Sequence, residues 1–206
     1  MPRSPGSSSR LAALFVVALA TWWPAPAPAE RRAPPSREPD IYFVPTPQEA
    51  VDKMLEMAGV RKGSKVYDLG CGDGRIVVTA AKRYGARGVG VDIDPRRVKE
   101  SRANARQHGV EKLVTIKHAD IFQTDFSDAD VVTLYLLPEL NVRLMPQLKK
   151  LKRGARIISY DFDMVGAKPA EIYQGKTSDG DSYQIFKWVV PWEDEAPADH
   201  EDASSN

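Results

Sequence analysis

The stretch 66-VYDLGCGDGRI-76 carries three glycines within five residues, just after Asp68 and Leu69. Glycine loses more conformational freedom on folding than any other residue. A chain that concentrates glycines here needs a backbone that comes very close to something. Residues 65-KVYDL-69 read as a short strand and 74–84 as a helix, so the glycines form a strand-to-helix loop.

The same alternation runs down the chain. Thr46-Pro47-Gln48-Glu49 has the form of a capping box, with Thr46 as cap and Glu49 reaching back. Val51, Met54, Leu55 and Ala58 follow at helical spacing, and Gly59 is the expected stop. Residues 88–93 read as a strand, and Asp94-Pro95 open a helix to about His108 with Asp94 as cap. Strand 113–118 comes next, then 130-DVVTLYLL-137, an almost unbroken apolar run that suits a strand buried on both faces. Pro138 opens a helix with Leu140, Leu144, Leu148 and Leu151 in one stripe, ended by Arg153-Gly154. Residues 156-RIISYDF-162 form a fifth strand, and 171–175 with 182–190 a closing hairpin turning at Ser178-Asp179-Gly180. Strands alternating with helices predict a doubly wound α/β sheet whose ligand lies at the carboxyl ends of the strands.

The loop itself has the form D-x-G-x-G-x-G, from Asp68 to Gly74. A dinucleotide fingerprint would need glycine at position 75, which is Arg75, and the phosphate loop G-x-x-x-x-G-K-[ST] is absent. A carboxylate at the strand end would repel pyrophosphate but attract an ammonium or sulfonium group. Asp92 ends the second strand, 24 residues further on, where it can accept both hydroxyls of a ribose. Plainer alternatives are a tight turn for Gly70 and Gly72 and a strand-end cap for Asp92.

The totals narrow the function. The chain has 206 residues, 42% hydrophobic and 28% charged, enough for one domain with a core. A net charge of +1 argues against strong binding to nucleic acid or acidic lipid, and the basic run 96–106 reads as a solvated helix face. Cys71 is the single cysteine, which excludes an intrachain disulfide; it reads as a small filler. His108, His118 and His200 are too scattered for a metal site.

The segments 44-VPTP-47, 67-YDLGCGDGRIV-77, 90-GVDIDP-95, 133-TLYLLPELN-141 and 159-SYDFDM-164, in this order, resemble the class I S-adenosylmethionine-dependent methyltransferases. Within them, the chain is similar to the group containing the mitochondrial lysine methyltransferases of the ATP synthase and the adenine nucleotide translocase. The resemblance implies a Rossmann-like, mostly parallel seven-stranded sheet with helices on both faces, and S-adenosylmethionine as cofactor. It places Asp68 near the cofactor's amino-acid part, Gly70 and Gly72 beside that part and the sugar, and Asp92 on the ribose hydroxyls. Asp120 would accept the adenine amino group, with Ile93 and Ile121 against the ring, and Thr46 would close over the methionine end. Tyr135 and Leu137 would wall the acceptor site, Glu139 would hold or deprotonate an ammonium, and Tyr160, Asp161 and Phe162 would contribute from the next strand. Each has a plainer role: core for Tyr135 and Phe162, first-turn acid for Glu139, cap for Asp120 and Thr46. The implied partner is a protein lysine, with a membrane protein among the candidates; a small-molecule methyltransferase and an exported, non-enzymatic binding module on the same fold are the alternatives. The N/D-P-P-Y/F element of adenine-N6 and glutamine methylation is absent after the fourth strand.

The ends of the chain raise a conflict. Arg3 and Arg10, the apolar run 11–23, and Ala27 and Ala29 match a secretory signal peptide within residues 1–29. An uncleaved tether through 11–23 and a non-functional extension are the alternatives; a mitochondrial transit peptide fits less well. Ten of 16 prolines precede residue 48, so 30–39 reads as a Pro-rich linker, 40–192 as the folded domain and 193–206 as an acidic disordered tail. Export or membrane association is the expectation from the first segment, whereas the need for cofactor points to the cytoplasmic side.

Overall fold

A computed structural model describes residues 37–40 and 42–194 of the chain. The signal-like segment and the acidic tail from residue 195 lie outside the described residues. Helix α1 (Gln48–Met57) precedes strand β1 (Lys65–Leu69), α2 (Arg75–Tyr84), β2 (Arg87–Asp92), α3 (Pro95–Gln107) and β3 (Val114–His118). A short 3-10 turn (Ile121–Gln123) leads to β4 (Val131–Leu134), α4 (Pro138–Leu148), β5 (Arg156–Tyr160), β6 (Glu171–Lys176) and β7 (Ser182–Val189).

The seven strands form one sheet in the order β3-β2-β1-β4-β5-β7-β6. The first five run parallel, and β7 enters antiparallel between β5 and β6. Successive side chains of β1 serve opposite layers. Val66 packs with the apolar faces of α1 and α2, whereas Tyr67 joins the cluster that buries Leu144 and Leu148 of α4. Covering both faces is what allows all four residues of β4 to be buried, the polar Thr133 among them. The order reverses between β1 and β4, and the crevice at that switch point is where ligands of such sheets bind.

Four local expectations change. The capping box at the start of α1 does not form: Pro47 is the capping position and no side chain caps it. Glu49 instead accepts the Ser178 N–H at 2.8 Å, tying α1 to the β6–β7 hairpin. Strand β4 stops at Leu134 rather than residue 137, because beyond Leu69 its neighbour β1 bends into the glycine loop and no longer pairs. Strand β5 stops at Tyr160, since Asp161 adopts φ 60°. Helix α4 ends at Leu148, and bonds such as Lys150 N–H to Gln147 C=O tighten the chain into a turn before Leu151 reaches the core. Asp94 does cap α3, accepting the Arg96 N–H at 2.7 Å. Among the described residues no helix is long and apolar enough to cross a membrane.

Trp188 of β7 is fully buried and donates its indole N–H to the Ala167 carbonyl at 2.8 Å. Trp188→Ala leaves a ring-sized void and an unpartnered carbonyl. Chemical denaturation should show a loss of about 3–5 kcal/mol.

Candidate active site

Asp68 and Asp92 sit at the carboxyl ends of adjacent parallel strands. Register pairs Asp68 with Thr133 of β4, whose hydroxyl donates to the carboxylate at 2.8 Å. Asp68 is 3% exposed. Burial pushes its carboxyl up to about 7, against the Thr133 hydrogen bond, which favours the charged form, and with repulsion from Asp92. Asp92 is raised as well, chiefly by burial. Its Oδ2 accepts the Gly72 N–H at 2.8 Å and its Oδ1 the Asp94 N–H at 2.9 Å. One carboxylate thus joins the glycine loop to the start of α3.

Gly70 and Gly72 have φ 81° and 54°, left-handed conformations that L side chains rarely adopt. A Cβ at Gly70 would meet Leu136 at 3.0 Å, and one at Gly72 would run into the Phe43 ring. The bend is closed by the Gly70 and Cys71 N–H groups, which both donate to the Val91 carbonyl at 2.8 and 3.0 Å. Cys71 is buried under the loop, where a Cβ at Gly90 would lie 2.7 Å from its sulfur, in keeping with a filler.

The chain before α1 is drawn onto this loop by a side chain that sequence reasoning does not single out. Arg75 pairs with Asp73, and its Nη1 donates to the Thr46 carbonyl at 2.8 Å. In the sequence Arg75 serves only to break a dinucleotide fingerprint. The spacing Asp73-x-Arg75 at a helix start is the signal that could have found it.

A cleft of about 1060 Å³ lies over the switch point. On the β1–β2 side it is lined by Asp68, Gly70, Asp92, Ile93 and Ile121, and on the β4–β5 side by Tyr135, Leu136, Leu137, Leu140 and Phe162. Phe43 and Thr46 line it from the preceding segment, as do Arg37 to Asp40. Tyr135 and Phe162 stack with centroids 6.1 Å apart. The expected cofactor residues Thr46, Asp68, Gly70, Asp92, Ile93 and Ile121 therefore come together, with Tyr135 beyond them. Gly72 lies beneath the Phe43 ring.

Three expected residues are placed elsewhere. Asp120 accepts from Arg37 Nε at 3.1 Å and from the Phe122 N–H at 2.9 Å, so it caps the 3-10 turn and holds a cation. Burial alone would raise its pKa, but Arg37 and the Phe122 N–H outweigh this and leave it below the ordinary value. Glu139 is exposed in the first turn of α4 and does not line the cleft. Asp161 does not line it either: its Oδ1 accepts the Gln184 N–H at 3.0 Å, and its own N–H donates to the Gln184 carbonyl at 2.8 Å. That carboxylate is engaged with the edge of β7. Among the described residues, no group of His, Cys, Asp and Glu could hold a metal ion.

A 3-2-1-4-5-7-6 sheet with a glycine loop between two buried carboxylates defines a class I S-adenosylmethionine-dependent methyltransferase. Residues 68–171 match the ANTKMT methyltransferase domain, and the chain belongs to that family. It is 41% identical over 155 residues to a protein-lysine N-methyltransferase of Saccharolobus islandicus, covering 74% of this chain and 95% of the relative. It is 33% identical over 130 residues to a human ATP synthase lysine N-methyltransferase, covering 63% of this chain but only 55% of that protein's length. Among solved structures, one described as an RNA methyltransferase from Salinibacter ruber in complex with S-adenosyl-L-homocysteine is similar at a TM-score of 0.67. It is 45% identical, covering 76% of this chain and 98% of the other. A Geobacter sulfurreducens S-adenosylmethionine-dependent methyltransferase, 15% identical with a TM-score of 0.55 over 68% of this chain and 90% of the other, shares the fold.

The site suits the cofactor: two desolvated carboxylates favour a cationic, hydroxyl-bearing ligand, and the glycines leave the backbone bare. In the free protein Asp68 protonates below about pH 7, and Asp92 is shifted in the same direction. A cationic ligand favours the carboxylate and displaces that proton. Calorimetry should show affinity for S-adenosylmethionine falling about tenfold per pH unit below 7 and levelling above it. A flat profile would remove Asp68 from the binding site. Asp161→Asn retains the Oδ1 acceptor and the tolerance for positive φ. Methyl transfer by that variant should stay within about threefold of wild type, whereas a catalytic base would cost roughly a hundredfold or more.

Proposed function

We propose that the chain transfers methyl groups from S-adenosylmethionine to the side-chain amine of protein lysines. The observation that carries this is the division of the cleft: acids gather at the ends of β1 and β2, while the ends of β4 and β5 present Tyr135, Leu136, Leu137, Leu140 and Phe162. When bound, the cofactor supplies an electrophilic methyl group and a good leaving group. What the chain must add is an aligned, dehydrated nucleophile. A free lysine has a pKa of about 10.4 and cannot attack while protonated. An apolar, aromatic wall lowers that pKa by desolvation and steers the cation over ring faces. Burial raises the pKa of the Tyr135 phenol, with Asp161 adding to the shift, so it stays neutral and can accept a hydrogen bond from the amine. The relatives named for lysine methylation support this reading.

The residue roles follow the same division. Asp68 takes the cofactor's amine, Asp92 its ribose hydroxyls, and Ile93 and Ile121 its base, while Asp120 reaches the base once Arg37 withdraws. Thr46 closes over the methionine end and Tyr135 faces the acceptor. Glu139, exposed in the first turn of α4, receives the proton through solvent.

The target we infer is a membrane protein, reached on the side of the membrane where the cofactor is present, with residues 11–23 as tether. Support comes from the apolar composition of 11–23 and the exposed Tyr42, Val44 and Leu137, which line the cleft beside Phe43. The description of the Salinibacter ruber neighbour favours RNA as a second acceptor class. Against it, the arginines lining the cleft are neutralised: Arg37 pairs with Asp40 and Asp120, Arg75 with Asp73, Arg96 with Asp94 and Arg97 with Glu100.

The full chain, methyl-labelled S-adenosylmethionine and a detergent-solubilised bacterial membrane-protein extract should yield labelled methyl-lysine on acid hydrolysis. Total RNA treated in parallel should yield no labelled nucleoside. Label confined to the RNA would overturn the lysine reading.

A further inference from the structure

We propose that Asn141 is a positioning residue, whose amide holds the turn at residues 161–163 so that Phe162 stands against Tyr135 as a wall of the acceptor site. The proposal rests on the lysine reading above.

The turn is a strained one. The Phe162 N–H donates back to the Tyr160 carbonyl at 2.8 Å across Asp161, whose φ is 60°. A three-residue turn with a positive φ at its centre is the rare, strained form of the γ-turn. Such a turn persists only where its surroundings over-determine it. From one side Asp161 exchanges two hydrogen bonds with Gln184 of β7. From the other, Asn141 of α4 donates its Nδ2 to the Asp163 carbonyl at 3.0 Å and the Phe162 carbonyl at 3.3 Å, with Ser159 Oγ at 3.4 Å. Carbonyls only accept, so these contacts settle which end of the amide is the nitrogen.

Asn141 is fully buried, and its Oδ1 has no partner among the described residues. An orphaned buried oxygen costs stability. A side chain that served packing alone would be better replaced by leucine, which has the same reach and no polar atoms. What asparagine adds is the pair of donors that gathers the two carbonyls. The consequence lies one residue away: Phe162 lines the cleft and stacks on Tyr135, and Tyr135 in turn meets Tyr160 edge-on at 4.7 Å. Asn141 therefore acts through Phe162 and touches neither cofactor nor acceptor.

The test uses the full chain with Asn141→Leu, Phe162→Ala and the double variant. Asn141→Leu removes the orphaned Oδ1 but also the donors to two carbonyls, so it should remain folded with a cooperative melt and bind S-adenosylhomocysteine within twofold of wild type. Its initial rate of methyl-lysine formation with the membrane-protein extract should fall roughly 10- to 100-fold, the scale of about 1 Å of misplacement. In the double variant the rate should fall no further than in Phe162→Ala, because both changes act on one wall. Amide hydrogen exchange at Phe162, whose N–H closes the turn, should quicken in Asn141→Leu. Unchanged exchange with an unchanged rate overturns the proposal, as do additive losses in the double variant or a rate loss that tracks lost cofactor binding. If wild type forms no methyl-lysine, the lysine reading fails by itself, and the exchange experiment still decides whether Asn141 holds the turn.

Discussion

The site depends on taking two carboxylates out of water at neighbouring strand ends. Asp68 and Asp92 lie on β1 and β2, and the parallel register brings both to the same edge of the sheet. Burial works against their charge. The fold offsets this with the Thr133 hydroxyl on Asp68 and two backbone N–H groups on Asp92. Those bonds also shape the backbone, because the Gly72 and Asp94 amides belong to the glycine loop and to the capping position of α3. The two carboxylates and the local architecture are therefore held by one set of contacts. A ligand that brings positive charge and hydroxyl donors completes the solvation the carboxylates lack.

The rest of the cleft arises from strands that stop early. Strand β4 ends at Leu134 and β5 at Tyr160, both short of their apolar runs. Freed from pairing, Tyr135 to Leu137 and Phe162 become walls of the cleft. The strand order sets acids and aromatics on opposite sides of the switch point. Topology thus separates a charged side from an apolar one within one cavity of about 1060 Å³.

The segment before α1 covers this cavity through polar contacts rather than a packed core. Arg75 holds the Thr46 carbonyl, Arg37 reaches Asp120, and Arg97 lies over the Phe43 ring at 4.8 Å. Residues 37–39, expected to belong to a Pro-rich linker, line the cleft. Proline content speaks to an extended backbone, and an extended segment can still lie across a site when charged partners wait on the other side.

The sequence by itself determined the layered α/β class, the glycine loop and its flanking acids, because these are carried by local patterns. Buried strands read as apolar runs, left-handed bends favour glycine, and an acid at a strand end is visible from spacing alone. Only the tertiary structure decided where individual polar side chains spend their hydrogen bonds. Thr46-Pro47-Gln48-Glu49 has the spacing of a capping box, yet Glu49 serves a hairpin 129 residues away. Asp161 resembles an active-site acid in an apolar strand, but β7 claims its carboxylate. Asn141 reads as one more helix residue until the 161–163 turn folds against it. A carboxylate or amide takes whichever donor or acceptor the fold brings within about 3 Å, and that choice depends on elements far apart in the chain.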